Sequence, residues 1–382
     1  MNGPARVALI GANGHGLHHR RNLTRLAAQG VVEPVALCDV RPVEEPGDVP
    51  VFTDHRALLA ETRPDVVIVC TPPHTHLEIA LDAVAAGADL LLEKPPVSSL
   101  VEHDVLLAAL DEHGRAGQVG FQALGSAALP DLVAAARHAA PASVGVAAFG
   151  SWWRPDSYWR RSPWAGRRRI DGRFVADGAL ANPFAHAVMQ SLAVAEAGLG
   201  WPAGPVTVEL EWYRTRDIEV EDTACLRLTD RAGTTVLVAV TLCAVPFVRG
   251  EIHAGGAVLE YPTDRLRSPG AADFRPPAGR VDLLENLIAH RATGVPLVAP
   301  LARTRPLTAL LEVLAAAPAP AAIPAGFLVP HPDGDGLALA GVDTTLRTVV
   351  ETGALPSELD IPWAVPPYRT VLDLRQKESS DA

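Results

Sequence analysis

The first third of the chain alternates short apolar runs with stretches whose apolar residues recur at helical spacing. The apolar runs predict buried strands at 6–10, 35–39, 66–70, 88–92 and 118–121. The intervening stretches predict helices, two of which Gly30 and Gly87 should close, because glycine accepts the left-handed conformation at a helix end. Strands that alternate with helices predict a parallel sheet covered on both faces.

The remaining residues show a different pattern. Strands are predicted at 144–149, 206–213, 223–229, 235–241 and 257–261, with turns at 230–233 and 255–256. These fit a mostly antiparallel sheet. Helices are predicted at 281–290, 307–315 and 343–352, with an Ala- and Pro-rich linker at 316–325 and a charged, disordered end after Leu374. We therefore predict domains at 1–122 and 123–320, followed by a C-terminal extension at 321–382.

Composition narrows the class of protein. The chain has 382 residues and a net charge of −11, which argues against a nucleic-acid binder. The sequence has no apolar run of transmembrane length and no signal peptide, so we expect no membrane partner. Its four cysteines lack CxxC spacing, and we expect buried thiols in a reducing cytoplasm. No metal cluster, Walker loop or nucleophile elbow is recognised, so we expect no metal.

A glycine loop follows the first strand. Gly11, Gly14 and Gly16 would let the backbone approach a pyrophosphate, and the helix that follows would favour its negative charge. Asn13 occupies the second glycine position of GxGxxG, and asparagine tolerates a positive φ better than most residues. The loop predicts a dinucleotide site.

Asp39 ends the second strand, 28 residues after Gly11. A carboxylate there can bind the ribose hydroxyls of NAD and would repel the 2′-phosphate of NADP. Asp39 can also be an ordinary strand-end residue, and Arg41 could accept a phosphate instead. We therefore favour NAD and keep NADP possible.

Glu93-Lys94-Pro95 follows the fourth strand, at the edge where open α/β sheets bind ligands. Lys94 is one of only two lysines in the chain, the other being Lys377, whereas arginine is used freely. Arginine cannot release its proton, but a partly buried lysine can. Lys94 therefore predicts proton transfer, although a strand-end salt bridge would also explain it.

The glycine loop, Cys70-Thr71-Pro72-Pro73-His74-Thr75-His76, Ala86-Gly87 and Glu93-Lys94-Pro95 together resemble the glucose–fructose oxidoreductase / inositol dehydrogenase (Gfo/Idh/MocA) family. The resemblance is close over 5–122 and looser to about 315. It implies a Rossmann doubly wound domain followed by an α/β domain with a large open, mostly antiparallel sheet. It also implies NAD(P)-dependent oxidation or reduction of a sugar, cyclitol or related compound, and a homodimer or homotetramer through the open sheet face.

The resemblance also implies roles for individual residues. Lys94 would contact the substrate oxygen, and the nicotinamide and ribose would be lined by Thr71, Pro72, His76 and Glu93.

The segment 152–164 holds four of the seven tryptophans and several arginines. Aromatic faces stack on sugars and arginines clamp anions, but both residue types are also typical of interfaces. The segment resembles the substrate loop of some branches of the family, which implies that Tyr158 and Trp164 contact substrate.

Asn182 and His186 are four residues apart, so both can lie on one helix face. His186 could act as general acid or base, with Asn182 orienting a hydroxyl or Lys94. Asn182-Pro183 is also a good helix start, which would make His186 a first-turn histidine. The family has a histidine four residues after an Asp or Asn, so the resemblance favours a Lys94–His186 pair.

The expected function is therefore hydride transfer between nicotinamide and a substrate carbon. Two alternatives stay open: an NAD-dependent glycoside hydrolase that works by transient oxidation, and a non-catalytic dinucleotide-binding regulatory protein.

Overall fold

The computed structural model describes residues 3–138, 144–170, 172–175 and 177–374. Two compact units divide the chain. The first contains Met1–Gly125 and Val281–Thr308, and the second contains Ser126–Arg280 and Ala309–Ala382. The disordered end predicted after Leu374 lies outside the described residues.

The first unit is built on a parallel sheet of six strands. Its elements are β1 (Ala5–Ile10), α1 (Gly16–Ala28), β2 (Val32–Cys38), β3 (Val51–Phe52), α2 (His55–Thr62), β4 (Val66–Val69), α3 (His76–Ala85), β5 (Asp89–Leu92), α4 (Leu100–His113) and β6 (Gly117–Val119). The strand order is β3-β2-β1-β4-β5-β6, and every neighbouring pair is parallel. The order reverses between β1 and β4, which is where doubly wound sheets bind dinucleotides.

Local sequence explains the helix ends of this unit. The Asp54 side chain accepts from the backbone N–H groups of Arg56 and Ala57 at the start of α2. Gly30 and Gly87 follow α1 and α3 with φ of +72° and +90°, as the sequence predicted.

The second unit begins with one helix and then builds a mixed sheet. Its elements up to residue 280 are α5 (Leu129–His138), β7 (Val146–Trp153), β8 (Arg169–Ile170), β9 (Arg173–Phe174), α6 (Ala185–Leu199), β10 (Val206–Arg214), β11 (Thr223–Thr229), β12 (Thr235–Thr241), β13 (Cys243–Ala254), β14 (Ala257–Tyr261) and β15 (Arg265–Arg267). The rest of the chain forms α7 (Leu283–Thr293), α8 (Arg305–Ala316), β16 (Ala321–Ala322), β17 (Leu328–Pro330), β18 (Leu337–Leu339), α9 (Val342–Thr352) and β19 (Tyr368–Leu372).

The large sheet is mostly antiparallel, with the order β15-β14-β13-β7-β12-β11-β10-β16 and β19 paired to β10. Its parallel contacts are β12 with β7 and β10 with β16. Helix α6 packs against β7, β12 and β13, and α9 packs against the same three strands. The fold class expected from the sequence, a doubly wound parallel sheet plus an α/β domain with a mostly antiparallel sheet, is confirmed.

The compact units divide the chain differently from the predicted domains in two places. Residues 281–308 group with the first unit, because the chain returns to β6 and Ala299 accepts from the Val119 N–H at 2.8 Å. The residues after 320 group with the second unit and are no separate extension, because β19 pairs with β10 along five residues.

Two sequence expectations in this half are also corrected. Strand β13 was not foreseen, since Pro246 and several exposed residues interrupt its alternation. The expected linker 316–325 contains β16, where Ala321 pairs with Tyr213. Among the described residues, no helix combines the length and the apolar character needed to cross a membrane.

Candidate active site

The glycine loop joins β1 to α1 at the switch point of the parallel sheet. Gly11 has φ of +91°, and a Cβ atom there would lie 2.3 Å from the carbonyl oxygen of Cys70. A Cβ atom on Gly16 would lie 1.9 Å from the carbonyl oxygen of Gly11. Both positions therefore exclude any side chain. Gly14 has φ of +58° and opens to free space, whereas Asn13 is not among the residues with positive φ.

Asp39 holds the loop from the end of β2. One carboxylate oxygen accepts from the Asn13 N–H at 3.0 Å, and the other accepts from the Arg41 N–H at 3.0 Å. Asn13 in turn donates its amide to the Pro42 carbonyl oxygen at 3.2 Å. The Arg41 guanidinium lies 3.7 Å from Asp39 and is largely exposed. A carboxylate has about four acceptor positions, so Asp39 retains capacity for ribose hydroxyls.

These residues fit a bound dinucleotide. The two close approaches at Gly11 and Gly16 form a cradle that a Cβ atom would fill. Helix α1 starts at Gly16 and has no side-chain cap at its N-terminus, where the helix dipole favours an anion. The predicted cofactor residues Gly11, Asn13, Gly14 and Asp39 are thus brought together at one edge of the sheet.

Glu93 and Lys94 directly follow β5 at the same edge. Lys94 is half-buried, and its backbone N–H donates to the Glu93 carboxylate at 3.1 Å. Glu93 is 7% exposed. Its other oxygen is 2.9 Å from Nε2 of His19 and 3.6 Å from Nε2 of His15.

Two neighbouring histidines stabilise the ionised carboxylate of Glu93. Burial favours the neutral carboxyl, but hydrogen bonds from His15 and His19 outweigh it and hold the pKa of Glu93 well below its usual range. The hydrogen bond to Glu93 raises the pKa of His15 against the effect of burial. Sequence reasoning missed both histidines, although their four-residue spacing at the start of α1 was a usable signal.

His76 is buried at the start of α3. The ring is 1% exposed, and its two nitrogens lie 3.0 Å from the Pro95 carbonyl oxygen and 2.8 Å from the Thr71 carbonyl oxygen. Burial lowers its pKa, so the ring is neutral and donates to one carbonyl at a time. His76 therefore braces the turn at Thr71 against the strand end, and its position beside the nicotinamide stays a prediction.

Thr71 and Pro72 precede the turn that starts α3. The Thr75 hydroxyl donates to the Thr71 hydroxyl at 2.7 Å, and Pro72 is exposed just before the turn. Both remain at the carboxyl end of β4, where the sequence placed them.

In the second unit, Asn182 and His186 lie at the start of α6. The helix begins at Ala185 and Phe184 is its N-cap, so His186 is in the first turn and Asn182 precedes the helix. This corrects two expectations: the residues do not share a helix face, and Asn182 is not the N-cap. The Asn182 amide donates to the buried Asp177 carboxylate at 2.9 Å, and the His186 ring lies 5.3 Å from the Tyr261 ring.

Asp177 links Asn182 to the aromatic segment. The Arg161 guanidinium pairs with Asp177, and the Gly166 N–H donates to it at 2.7 Å. Arg161 also lies 3.8 Å above the Tyr158 ring and 4.6 Å above the Trp164 ring. Tyr158, Trp164 and Asn182 are therefore held together around one ion pair, which the sequence did not reveal.

Glu221 is buried beneath the same loop. Its carboxylate accepts from the Leu180 N–H at 2.9 Å, and Gly178 leaves room for it, since a Cβ atom there would meet an oxygen at 2.0 Å. Burial raises the pKa of Glu221 to about 7, and the neighbouring Asp222 and Asp177 act in the same direction.

The fold and the glycine-loop geometry define a nicotinamide-dinucleotide-binding class of protein. Residues 5–121 match the oxidoreductase family with an NAD-binding Rossmann fold, Gfo/Idh/MocA. Over these residues the chain matches the NAD-binding domain of this family, which agrees with the resemblance inferred from the sequence, and NAD is the cofactor class of that domain.

Individual relatives agree with this assignment. The chain is 36% identical over 99 residues to D-glucoside 3-dehydrogenase of Escherichia coli, covering 24% of this chain and 28% of the relative. It is 29% identical over 124 residues to inositol 2-dehydrogenase of Paracoccus denitrificans, covering 30% and 36%. The chain thus aligns with about a third of the length of these curated relatives.

A solved structure extends the likeness of fold beyond the N-terminal domain. The WlbA dehydrogenase from Chromobacterium violaceum, in complex with NADH and UDP-GlcNAcA, superposes with a TM-score of 0.67 at 20% identity. The match covers 83% of this chain and 95% of that one. The large mixed sheet of the second unit is therefore a fold shared with this dehydrogenase.

Proposed function

We propose that the chain is an NAD(P)-dependent oxidoreductase that acts on a hydroxyl or carbonyl carbon of a sugar, cyclitol or sugar derivative. One observation carries the proposal: Lys94 stands half-buried at the carboxyl end of β5, at the same sheet edge as the glycine cradle and Asp39. The names of the relatives, a glucoside dehydrogenase and an inositol dehydrogenase, support this substrate class.

Bound NAD would supply the hydride acceptor, and its reduced form the hydride donor, for the substrate carbon. The residues of the chain would supply binding and proton transfer. Asp39 would hold the ribose hydroxyls, while Gly11, Gly14 and Gly16 would admit the pyrophosphate. Lys94 would take the proton of the substrate hydroxyl during oxidation and stabilise the developing negative charge on oxygen.

Glu93 keeps the region around Lys94 anionic. Its low pKa leaves it ionised, and its carboxylate is fixed by the Lys94 N–H. Glu93 would therefore stand as an ionised neighbour of Lys94, and Thr71 and Pro72 would border the cofactor.

The second unit would supply the substrate contacts. The side-chain nitrogen of Asn182 donates to Asp177, and this hydrogen bond fixes the direction of the side-chain oxygen of Asn182. Tyr158 and Trp164 would stack on an apolar sugar face, and Arg161 holds both rings. His186 would act as a general acid or base, which the loss of kcat in His186→Ala measures.

The first experiment is a titration of purified protein with NAD, NADH, NADP and NADPH, followed by nicotinamide fluorescence and thermal shift. We expect micromolar binding with a preference for NAD. Sugars and cyclitols are then screened for NADH production. A preference for NADP and NADPH would assign the cofactor specificity to Arg41 and not to Asp39. If folded, cofactor-free protein binds none of the four forms, the proposal is overturned.

The second experiment compares Lys94→Met with Lys377→Met, which removes the only other lysine. We expect Lys94→Met to lower kcat by about 100-fold or more while NAD affinity stays within a factor of about three, because proton transfer is lost and the cradle is intact. Lys377→Met should behave as the parent protein. Full turnover by Lys94→Met would contradict the assigned role, and glycoside cleavage without net NADH would identify the hydrolase alternative.

The small-molecule partner is thus a carbohydrate-like substrate. The homodimer or homotetramer and the cytoplasmic location stay proposals. Cys38, Cys70, Cys225 and Cys243 are free thiols, which supports a reducing compartment.

A further inference from the structure

Three potential metal ligands converge at the start of α1. One imidazole nitrogen each of His15 and His19 and a carboxylate oxygen of Glu93 all lie within 4.8 Å of one another. The proposed oxidoreductase chemistry uses Glu93 only as a neighbour of Lys94 and gives no role to His15. We propose that His15, His19 and Glu93 form a binding site for one divalent transition-metal cation of the Zn²⁺ or Ni²⁺ type.

The distances suit shared coordination. A tetrahedral ion with bonds of about 2.0–2.1 Å to nitrogen and oxygen requires ligand atoms about 3.3 Å apart. The observed separations from the Glu93 oxygen are 2.9 Å to His19 and 3.6 Å to His15, on either side of that value. The two histidines are four residues apart at the first turn of α1, so their rings lie on one side of the helix.

The carboxylate is oriented by its surroundings. The Lys94 N–H donates to one oxygen of Glu93 at 3.1 Å, which directs the other oxygen to the histidines. Gly120 makes room for the group, since a Cβ atom there would lie 2.8 Å from both oxygens. Hydrogen bonds of this kind fix the ligands of metal sites and raise their affinity.

The donor set defines the class of cation. Two imidazoles and one carboxylate suit zinc, nickel or cobalt better than calcium or magnesium, which prefer oxygen ligands. The His19 and Glu93 side chains are about one-tenth exposed, whereas that of His15 is 57% exposed. The site therefore opens to solvent on the His15 side and leaves a position for water or another exogenous ligand.

The test is a calorimetric titration of tag-free, chelator-treated full-length protein with ZnCl₂, with the bound metal counted by elemental analysis. We expect one Zn²⁺ per chain. His15→Ala should weaken binding at least about tenfold, because it removes one ligand from an exposed position and leaves the His19–Glu93 contact intact.

His18→Ala is the matched control. His18 is a neighbouring histidine on the same helix, with its ring 5.0 Å from that of His15, and it is not one of the three ligands. It should bind Zn²⁺ as the parent protein does. Co²⁺ substituted into the parent should show the intense visible absorption of a four-coordinate site, and His15→Ala should lose it.

The proposal fails if the parent protein binds no stoichiometric Zn²⁺, or if His15→Ala and His18→Ala bind it equally. Glu93→Gln provides a second variant that keeps the side-chain volume, and it should also weaken binding. These measurements need neither NAD nor turnover. A negative result would therefore refute the metal site without bearing on the proposed oxidoreductase activity.

Discussion

Gly11 illustrates how tightly single positions are specified at the candidate site. The residue combines a φ of +91° with an approach to the Cys70 carbonyl oxygen that leaves no space for a methyl group. The neighbour is backbone, so it cannot swing away as a flexible side chain would. The requirement for glycine therefore comes from two independent physical causes, the backbone conformation and the close packing of β1 against β4.

We expect Gly11→Ala to lower the free energy of unfolding by about 3 kcal/mol or more, because the substitution adds backbone strain to a steric clash. Urea unfolding measures the loss. Gly326→Ala is the control, since a Cβ atom there meets nothing within 4 Å, and its effect should stay within about 0.5 kcal/mol. Equal stability of the two variants would refute the argument.

The second prediction at the residue scale concerns Glu221 and the dependence of stability on pH. Its pKa is raised to about 7 in the folded protein from 4.5 in the unfolded chain. Between these values the folded state binds more protons than the unfolded state, so this group makes stability fall as pH rises. Below pH 4.5 both states are protonated, and above pH 7 the full penalty, about 3 kcal/mol at most, is present.

Glu221→Gln should remove that pH dependence. The neutral amide keeps an oxygen for the Leu180 N–H and carries no charge to bury. We expect the variant to gain stability relative to the parent at pH 8 and to gain little at pH 4.5, as measured by urea unfolding of both proteins at the two pH values. The same difference at both pH values would show that burial of the Glu221 charge is not the cause.

At the scale of elements, the loop before α6 matters more than the helix itself. The helix starts at Ala185, but Asn182 owes its position to Asp177, which also receives Arg161 and the Gly166 N–H. The aromatic segment and the loop before α6 are thus joined through one buried carboxylate. A single substitution at Asp177 should therefore affect both.

We expect Asp177→Asn to destabilise the protein by about 2–3 kcal/mol, because it removes the charge that pairs with Arg161 while the site stays buried. If the proposed function holds, KM for the sugar should also rise while NAD affinity stays unchanged. The control is Arg167→Met, which breaks an exposed pair with Glu219 and should cost about 0–1 kcal/mol. An equal cost for both variants would contradict the structural role of Asp177.

At the scale of the whole molecule, the chain covers the large sheet with its own C-terminal residues. One face of the sheet presents Phe149, Leu237 and Ala239 to α9, and these residues share an apolar core with Leu346 and Trp363. The resemblance to the family implied that the open sheet face forms a homodimer or homotetramer. In this chain α9 and the residues after it pack on one face of β7 and β12, so we expect a homo-oligomer to use a different surface of the sheet.

Leu346→Ala tests this cover. The side chain is fully buried on α9, so we expect a loss of about 2–5 kcal/mol from reduced burial and a residual cavity. Leu337→Ala, at a position 42% exposed, should change stability by about 0.5 kcal/mol or less. By light scattering, the parent protein should form no dimer through this face. Deletion of 341–382 exposes the face and should increase association. A dimer that requires the intact C-terminal residues would contradict this account.

The sequence by itself determined the N-terminal domain and its cofactor class. Its strands are continuous apolar runs closed by glycines, and its glycine loop, Asp39 and Glu93-Lys94-Pro95 stand in fixed order along the chain, so local patterns suffice. The strands β11, β12 and β14 were also placed at their observed residues, because turn residues at 230–233 and 255–256 mark where they begin or end.

Only the tertiary structure decided how distant residues meet. It joined His15 and His19 to Glu93 across 74 or more residues, and it paired Arg161 with Asp177. It also turned His76 inward, returned 281–308 to the first unit and laid α9 on the sheet. Each of these depends on burial and on contacts between segments far apart in sequence, and local hydrophobic periodicity carries no information about such contacts.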